Sequence, residues 1–168
     1  SDFTSDDIVV AGATKGTFTA LSNSIYTQVL SPNPDSTDPI TVDIAAGAAV
    51  DNSGQSSLEA TQSVQQVDTR APDTPEVAAV AGDDLISKAE KNEGVEVSGS
   101  SEPSSLVRLS FAGETRQIES NSETGSWSYL LTKSDLQLIG EGSSSISITA
   151  TDASGNVSAS ATKTLTLD

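Results

Sequence analysis

Apolar residues in this chain arrive in short runs that alternate with polar ones and stop at turns. Val95 and Val97 in GVEVSGSSEP, Val107, Leu109 and Phe111 in SLVRLSF, and Ile146, Ile148 and Ala150 in SSSISITATD all fall on every second residue. A period of two puts such side chains on one face of a β-strand and their polar partners on the other. The same pattern runs through TFTA (17–20), IYTQVL (25–30), Ile40, Val42 and Ile44 of ITVDI, SWSYLLT (126–132) and VSASATKTLTLD (157–168), with IVVA (8–11) a short apolar run. No amphipathic pattern of 10–12 residues argues for a long helix. Residues 58–67 are read as strand and residues 83–94 as a loop or single turn. Residues 134–142 are read as one helical turn capped by Ser134. From residue 75 onward about seven short strands follow one another at turn spacings typical of a β-sandwich.

Two proline-rich stretches interrupt the pattern. SPNPDSTDP (31–39) holds three prolines in nine residues and cannot be regular. DTRAPDTP (68–75) reads as a short, stiff linker, because each proline fixes its own backbone and restricts the residue before it. The expected fold class is all-β: two tandem β-sandwich domains, residues 1–70 and 71–168. The first is expected to be a partial repeat lacking its opening strands. The chain starts without Met or a signal peptide and is expected to be a segment of a longer protein.

Composition narrows the chemistry. Asp and Glu number 24 against 8 Lys and Arg, a formal charge of −16, and there is no His or Cys. Histidine-based triads, imidazole metal ligands, thiol nucleophiles, thiolate zinc sites and disulfides are excluded. Nucleic acids and anionic membranes need basic patches, so neither is an expected partner. No run of 18 apolar residues offers a membrane-spanning helix. Hard oxygen-ligated cations remain, and calcium is the expected cofactor.

The halves end alike. In each, an alternating strand enters a D-x-S-G-[QN] loop, Asp51 to Gln55 and Asp152 to Asn156, and a further strand stops at an Asp, Asp68 or Asp168. Such recurrence marks tandem units of about a hundred residues, beads on a string rather than a solenoid.

FTSDDIVVAG (3–12), ITVDIAAGAAVDNSGQ (40–55), VDTRAPDTP (67–75), GDDLISKAE (82–90), TGSWSY (124–129) and TATDASGN (149–156) resemble the bacterial Ig-like extender repeats of giant calcium-binding, type I-secreted surface adhesins. The resemblance implies Ig-like sandwiches, calcium at and near the domain junctions, and a stalk rather than a catalyst. It implies a monomeric segment, extracellular on a bacterial surface, whose partners are neighbouring repeats of the same long chain. Host or biofilm surfaces would be met through other domains. The first loop departs from the pattern at Gln55, where the family has Asn.

Calcium takes six to eight oxygens, so several acids must converge. The expected ligands are Asp51, Asp68 and Asp73; Asp83, Asp84 and Glu90 at the opening of the second domain; Asp152, Asn156 and Asp168 at its end; and Asp2, Asp6 and Asp7 at the start of the chain. Any one of these acids reads equally well as solvated surface charge. There is no EF-hand loop. Trp127 and Tyr129 read as strand residues rather than a sugar platform. Paired carboxylates for glycoside hydrolysis, an isopeptide at Lys88, Lys91 or Lys163, and a Thr ladder at 164–167 lack supporting spacing. The chain is not expected to be an enzyme. A glycan- or protein-binding module of such an adhesin is the alternative from another class. It would carry long loops or an aromatic cluster.

Overall fold

A computed structural model describes residues 3–168, and its regular structure is predominantly β-strand. The chain divides into two compact units, Ser1–Arg70 and Ala71–Asp168.

The N-terminal unit begins with a 3-10 turn, Ser5–Asp7, whose exposed amides are capped by Thr4 and Asp7. Strands β1 (Ile8–Ala11), β4 (Ile40–Ile44) and β5 (Ser63–Gln65) form an antiparallel sheet in the order β1-β4-β5. Ile8 faces Ile44 and Val10 faces Val42 across it. Strands β2 (Ala13–Ala20) and β3 (Tyr26–Pro32) pair only with each other, with a register break between Lys15 and Phe18. Lys15 Nζ crosses back to the carbonyls of Ser5 and Ile8. Phe3, Phe18 and Tyr26 form an aromatic cluster, with Phe18 stacked on Tyr26 at 5.7 Å. The apolar interior is thin: of the described hydrophobic residues here, only Ile8 and Ile40 are buried.

The C-terminal unit is a two-sheet sandwich. Its strands are β6 (Glu76–Val77), β7 (Leu85–Ile86), β8 (Val95–Ser100), β9 (Leu106–Phe111), β10 (Glu114–Glu119), β11 (Ser126–Leu131), β12 (Gly142–Thr151) and β13 (Ala161–Leu167). One sheet runs β10-β9-β12-β13-β7 and the other β11-β8-β6. This is eight strands rather than about seven, because the opening segment changes sheets. Its first part pairs antiparallel with β8 and its second part parallel with β13. The inward residues predicted from alternation close the core. Val97, Val107, Leu109, Ile146 and Ile148 are fully buried, as are Leu131, Leu136 and Leu165. Complete burial of each such aliphatic chain supplies roughly 1.5–3 kcal/mol, which makes these strands the stable part of the molecule.

Two short helices differ from the sequence reading. Helix α1 (Lys88–Glu93) stands where a loop or single turn was expected, and α2 (Lys133–Ile139) is capped by Thr132 rather than Ser134. In both, the residue before the helix accepts an N–H from the residue three positions on, whose carboxylate returns the bond. Residues 58–67, read as strand, form only the three-residue β5.

Gly99 lies where β6 crosses β8 above Trp127. A Cβ there would stand 1.9 Å from the Glu76 carbonyl oxygen and 2.7 Å from Trp127 Cζ2. Gly99→Ala is therefore expected to lower the stability of the C-terminal unit by roughly 3 kcal/mol, read as a urea-midpoint shift of the Trp127 fluorescence transition.

Candidate metal-binding carboxylates

The two corner loops are built alike. In the N-terminal unit the Asp51 N–H donates to the Gln55 carbonyl (2.9 Å) and the Gly54 N–H returns to the Asp51 carbonyl (3.0 Å). Asp51 Oδ1 accepts from the Ser53 and Gln55 amides at 2.7 and 2.9 Å. In the C-terminal unit the Asp152 N–H donates to the Asn156 carbonyl (3.1 Å) and the Gly155 N–H to the Asp152 carbonyl (3.2 Å). Asp152 Oδ1 accepts the Asn156 amide at 2.8 Å, and Asn156 Nδ2 donates to Oδ2 at 2.9 Å. The turn needs a positive φ at its fourth residue, met by Gly54 (82°) and Gly155 (91°).

A serine behind each loop escaped the sequence reading. Ser57 Oγ accepts the Ala49 amide and Ser158 Oγ accepts the Ala150 amide. Asp51 and Asp152, Gln55 and Asn156, and Ser57 and Ser158 are each 101 residues apart. The signal was present in the sequence as a Ser two residues beyond the loop. It is legible only once the hydroxyl is seen to close the corner.

Most other candidate ligands are engaged within their own loops. Asp7 accepts from the amide and hydroxyl of Thr4, in the turn that also holds Asp6. Asp2 lies outside the described residues. Asp68 accepts the Arg70 amide, and Asp83 the Leu85 amide. Asp73 is exposed between the buried prolines Pro72 and Pro75. Glu90 accepts both the amide and the hydroxyl of Ser87. Exposed Asp168 donates its N–H to the Ile86 carbonyl. Asp84 bonds at both carboxylate oxygens: Oδ1 accepts the Val80 amide, and Oδ2 meets Lys163 Nζ at 2.8 Å. Among the described residues no three acids come together as a metal cage. The donor set has the hard oxygens calcium prefers, but within either unit it is dispersed, and each corner loop offers one carboxylate.

Electrostatics follow these bonds. Lys163, then the Val80 amide, hold Asp84 below the ordinary carboxylate range. The Ser87 hydroxyl and amide do the same for Glu90. Partial burial pushes Asp152 upward, but hydrogen bonds from Asn156 and from the Ser154 and Gly155 amides outweigh it, so the net shift is downward. Buried Asp135 has the same balance: burial opposes ionisation, and Thr132 and Arg116 overcome it. Arg116 donates to Asp135 Oδ1 through Nε and Nη2, at 3.1 and 2.8 Å, and to Glu114 through Nη1. Its guanidinium lies 5.5 Å from the Phe111 ring centroid. The Arg116–Asp135 pair was not readable from sequence, since the two residues are brought together only by the fold.

No protein-family profile and no curated protein matches the sequence. Solved structures do. One is a bacterial immunoglobulin-like domain from the M. primoryensis ice-binding adhesin, 28% identical over 58% of this chain and 99% of that one, with a TM-score of 0.46. The chain resembles bacterial immunoglobulin-like domains. A Ca2+-stabilised adhesin with which an Antarctic bacterium reaches out and binds ice is 23% identical over all of this chain and 48% of its own (TM-score 0.49). A structure concerning host cell surface retention of a 1.5-MDa bacterial ice-binding adhesin is 20% identical over 85% of this chain and 46% of its own (TM-score 0.46). The chain thus spans about half the length of these two larger structures. Bacterial immunoglobulin-like domains of adhesins are also what the sequence motifs resemble.

Two outcomes follow for the C-terminal unit. Asp84, Glu90, Asp135 and Asp152 all sit below their ordinary values. Each contributes stability that is present above its unfolded-state pKa and is lost as pH falls through its lower folded-state value. Chemical denaturation across an acid series is expected to give a midpoint that holds near neutrality and falls steadily below the ordinary carboxylate range. Asp135→Ala is expected to cost roughly 3 kcal/mol, because it removes the α2 cap and strands Arg116. Asp83→Ala should cost under about 1 kcal/mol on the same urea assay.

Proposed function

We propose that the chain is an extender segment of a bacterial cell-surface adhesin: tandem Ig-like units that set distance and stiffness rather than carry out a reaction. The observation that carries this reading is the same corner, with the same backbone hydrogen bonds to its Asp, recurring 101 residues later in a second unit. Repetition of one supersecondary unit along a chain is the mark of an array. On this reading the N-terminal unit is a partial repeat, the partners are neighbouring repeats of the same long chain, and the setting is extracellular.

Calcium belongs to the reading through the acids. The carboxylates at Asp51, Asp68 and Asp73, and those at Asp83, Asp84, Asp152 and Asp168, offer hard oxygens in loops and in the connecting segment. Among the described residues no three acids stand together, so on this reading an ion would draw its remaining oxygens from loop carbonyls and water. Like charges left without it repel and loosen the segment. Asp84 would first have to yield its bond to Lys163, which makes it the least available of the set.

The test is thermal unfolding and small-angle X-ray scattering of the 168-residue chain in calcium and in chelator. Calcium is expected to raise Tm by roughly 4–8 °C for each kcal/mol of binding energy and to change the maximum dimension. A Tm and a maximum dimension indifferent to calcium would remove the ion from the proposal.

A further inference from the structure

The proline-rich stretch 31–39 is irregular, as its three prolines require, but it is tied at several points. Pro34 and Asp35 form the centre of a tight turn, with Asp35 left-handed at φ 51°. Proline presets the first central position of such a turn, and Asp tolerates a left-handed second. The Asn33 N–H donates to the Gly12 carbonyl at 3.1 Å, and the Asp38 N–H to Ser36 Oγ at 3.1 Å. Gly12, which follows β1, lies close against Pro39, which precedes β4: a Cβ on Gly12 would stand 2.3 Å from the Pro39 carbonyl oxygen. The turn is thus anchored to the central pair of its sheet.

A turn of this kind is commonly closed by a hydrogen bond from its fourth residue's N–H to its first residue's carbonyl. Here the closing bond is routed through a side chain 33 positions away. The Ser36 N–H donates to Thr69 Oγ1 at 3.0 Å, and the Thr69 hydroxyl donates onward to the Asn33 carbonyl at 2.7 Å. The same hydroxyl lies 3.2 Å from the Ser36 carbonyl, which also accepts the Thr69 N–H at 2.9 Å. Asp68 Oδ1 then accepts the Arg70 N–H at 3.0 Å. A hydroxyl accepts and donates at a single atom, which this insertion requires and an apolar side chain cannot supply. The positions 101 further on from Asn33, Pro34 and Ser36 are Ser134, Asp135 and Gln137, inside α2. The feature therefore belongs to the N-terminal unit's own sequence rather than to the plan the two units share.

We propose that the Pro34–Asp35 turn is a socket that locks the connecting segment: with the Thr69 hydroxyl inserted, the chain is held rigid through Arg70 without a bound ion. The stiffness that the prolines give to the DTRAPDTP segment then begins from a fixed point on the N-terminal unit instead of from a loose end. This deepens the stalk reading and rests on it, since stiffness matters to a spacer. It assigns the stiffness at this point to a neutral hydroxyl rather than to a cation.

The test is 15N relaxation and amide hydrogen exchange of the full 168-residue chain in chelator, so that no divalent ion contributes. Order parameters of about 0.8 or more are expected at Thr69 and Arg70. Thr69→Val keeps the side chain's shape and removes the hydroxyl. It is expected to bring both order parameters below about 0.6 and to speed exchange of the Ser36 amide at least about tenfold. Thr69→Ser, which keeps the hydroxyl, is expected to retain the unaltered values, as is Thr74→Val in the same connector. Unchanged exchange across β4 shows that the sheet of each variant is intact. Order parameters below about 0.6 at Thr69 and Arg70 in the unaltered chain, or values that Thr69→Val leaves unchanged, would overturn the proposal. A rigid Thr69 in a chain whose Tm and maximum dimension ignore calcium would keep the socket while removing the ion from the stalk reading.

Discussion

The sandwich in residues 71–168 closes because its opening segment serves both sheets. β6 completes one sheet, and after the tight turn at Val80–Asp84 β7 completes the other. Asp84 makes the crossing. It holds a left-handed backbone (φ 65°), caps the Val80 amide with its side chain, and pairs with Lys163 on β13. A left-handed non-glycine residue costs about 1 kcal/mol or more, and here bonds to Val80, Lys163 and Thr166 hold it in place. Removing that segment would turn β8 and β13 into edge strands.

A second constraint is the shortage of apolar residues, 35% of the chain. The C-terminal unit concentrates them at alternate strand positions. Its carboxylates and hydroxyls meanwhile close turns and helix ends. Thr4 with Asp7, Ser87 with Glu90 and Thr132 with Asp135 are three copies of one capping device. Half-buried Ser101 and buried Ser105 and Ser120 tie two loops together through their hydroxyls. A chain of formal charge −16 thus spends several of its acids as hydrogen-bond acceptors, and a count of acids overstates the ligands free to meet a cation.

How much could be read in advance depended on range. Alternation at Val107, Leu109 and Phe111 or at Ile146 and Ile148 is a local property, and the strands lie where it indicates. The Asp152-to-Asn156 turn was equally visible, because its bonds span four residues. What stayed hidden was long-range: Arg116 meeting Asp135, Lys163 meeting Asp84, and the division of one opening strand between two sheets. Helix α2 fell between, since Thr132 and Ser134 are both good caps and only the reciprocal bond with Asp135 decides. Residues 58–67 misled because a weakly alternating, polar stretch has no apolar face to pin it, so only three residues pair.

The parallel pairing of β7 with β13 has a mechanical meaning. β7 lies near the start of the C-terminal unit and β13 at its end, and their register bonds run from Thr166 to Asp84 and from Asp168 to Ile86. A pull on the two ends of the unit therefore draws these strands past one another along their length. Both hydrogen bonds and the Asp84–Lys163 pair are loaded together in shear, instead of opening one after another as in an unzipping hairpin. The strand switch that lets the sandwich close also places a shear-loaded pairing beside its C-terminus.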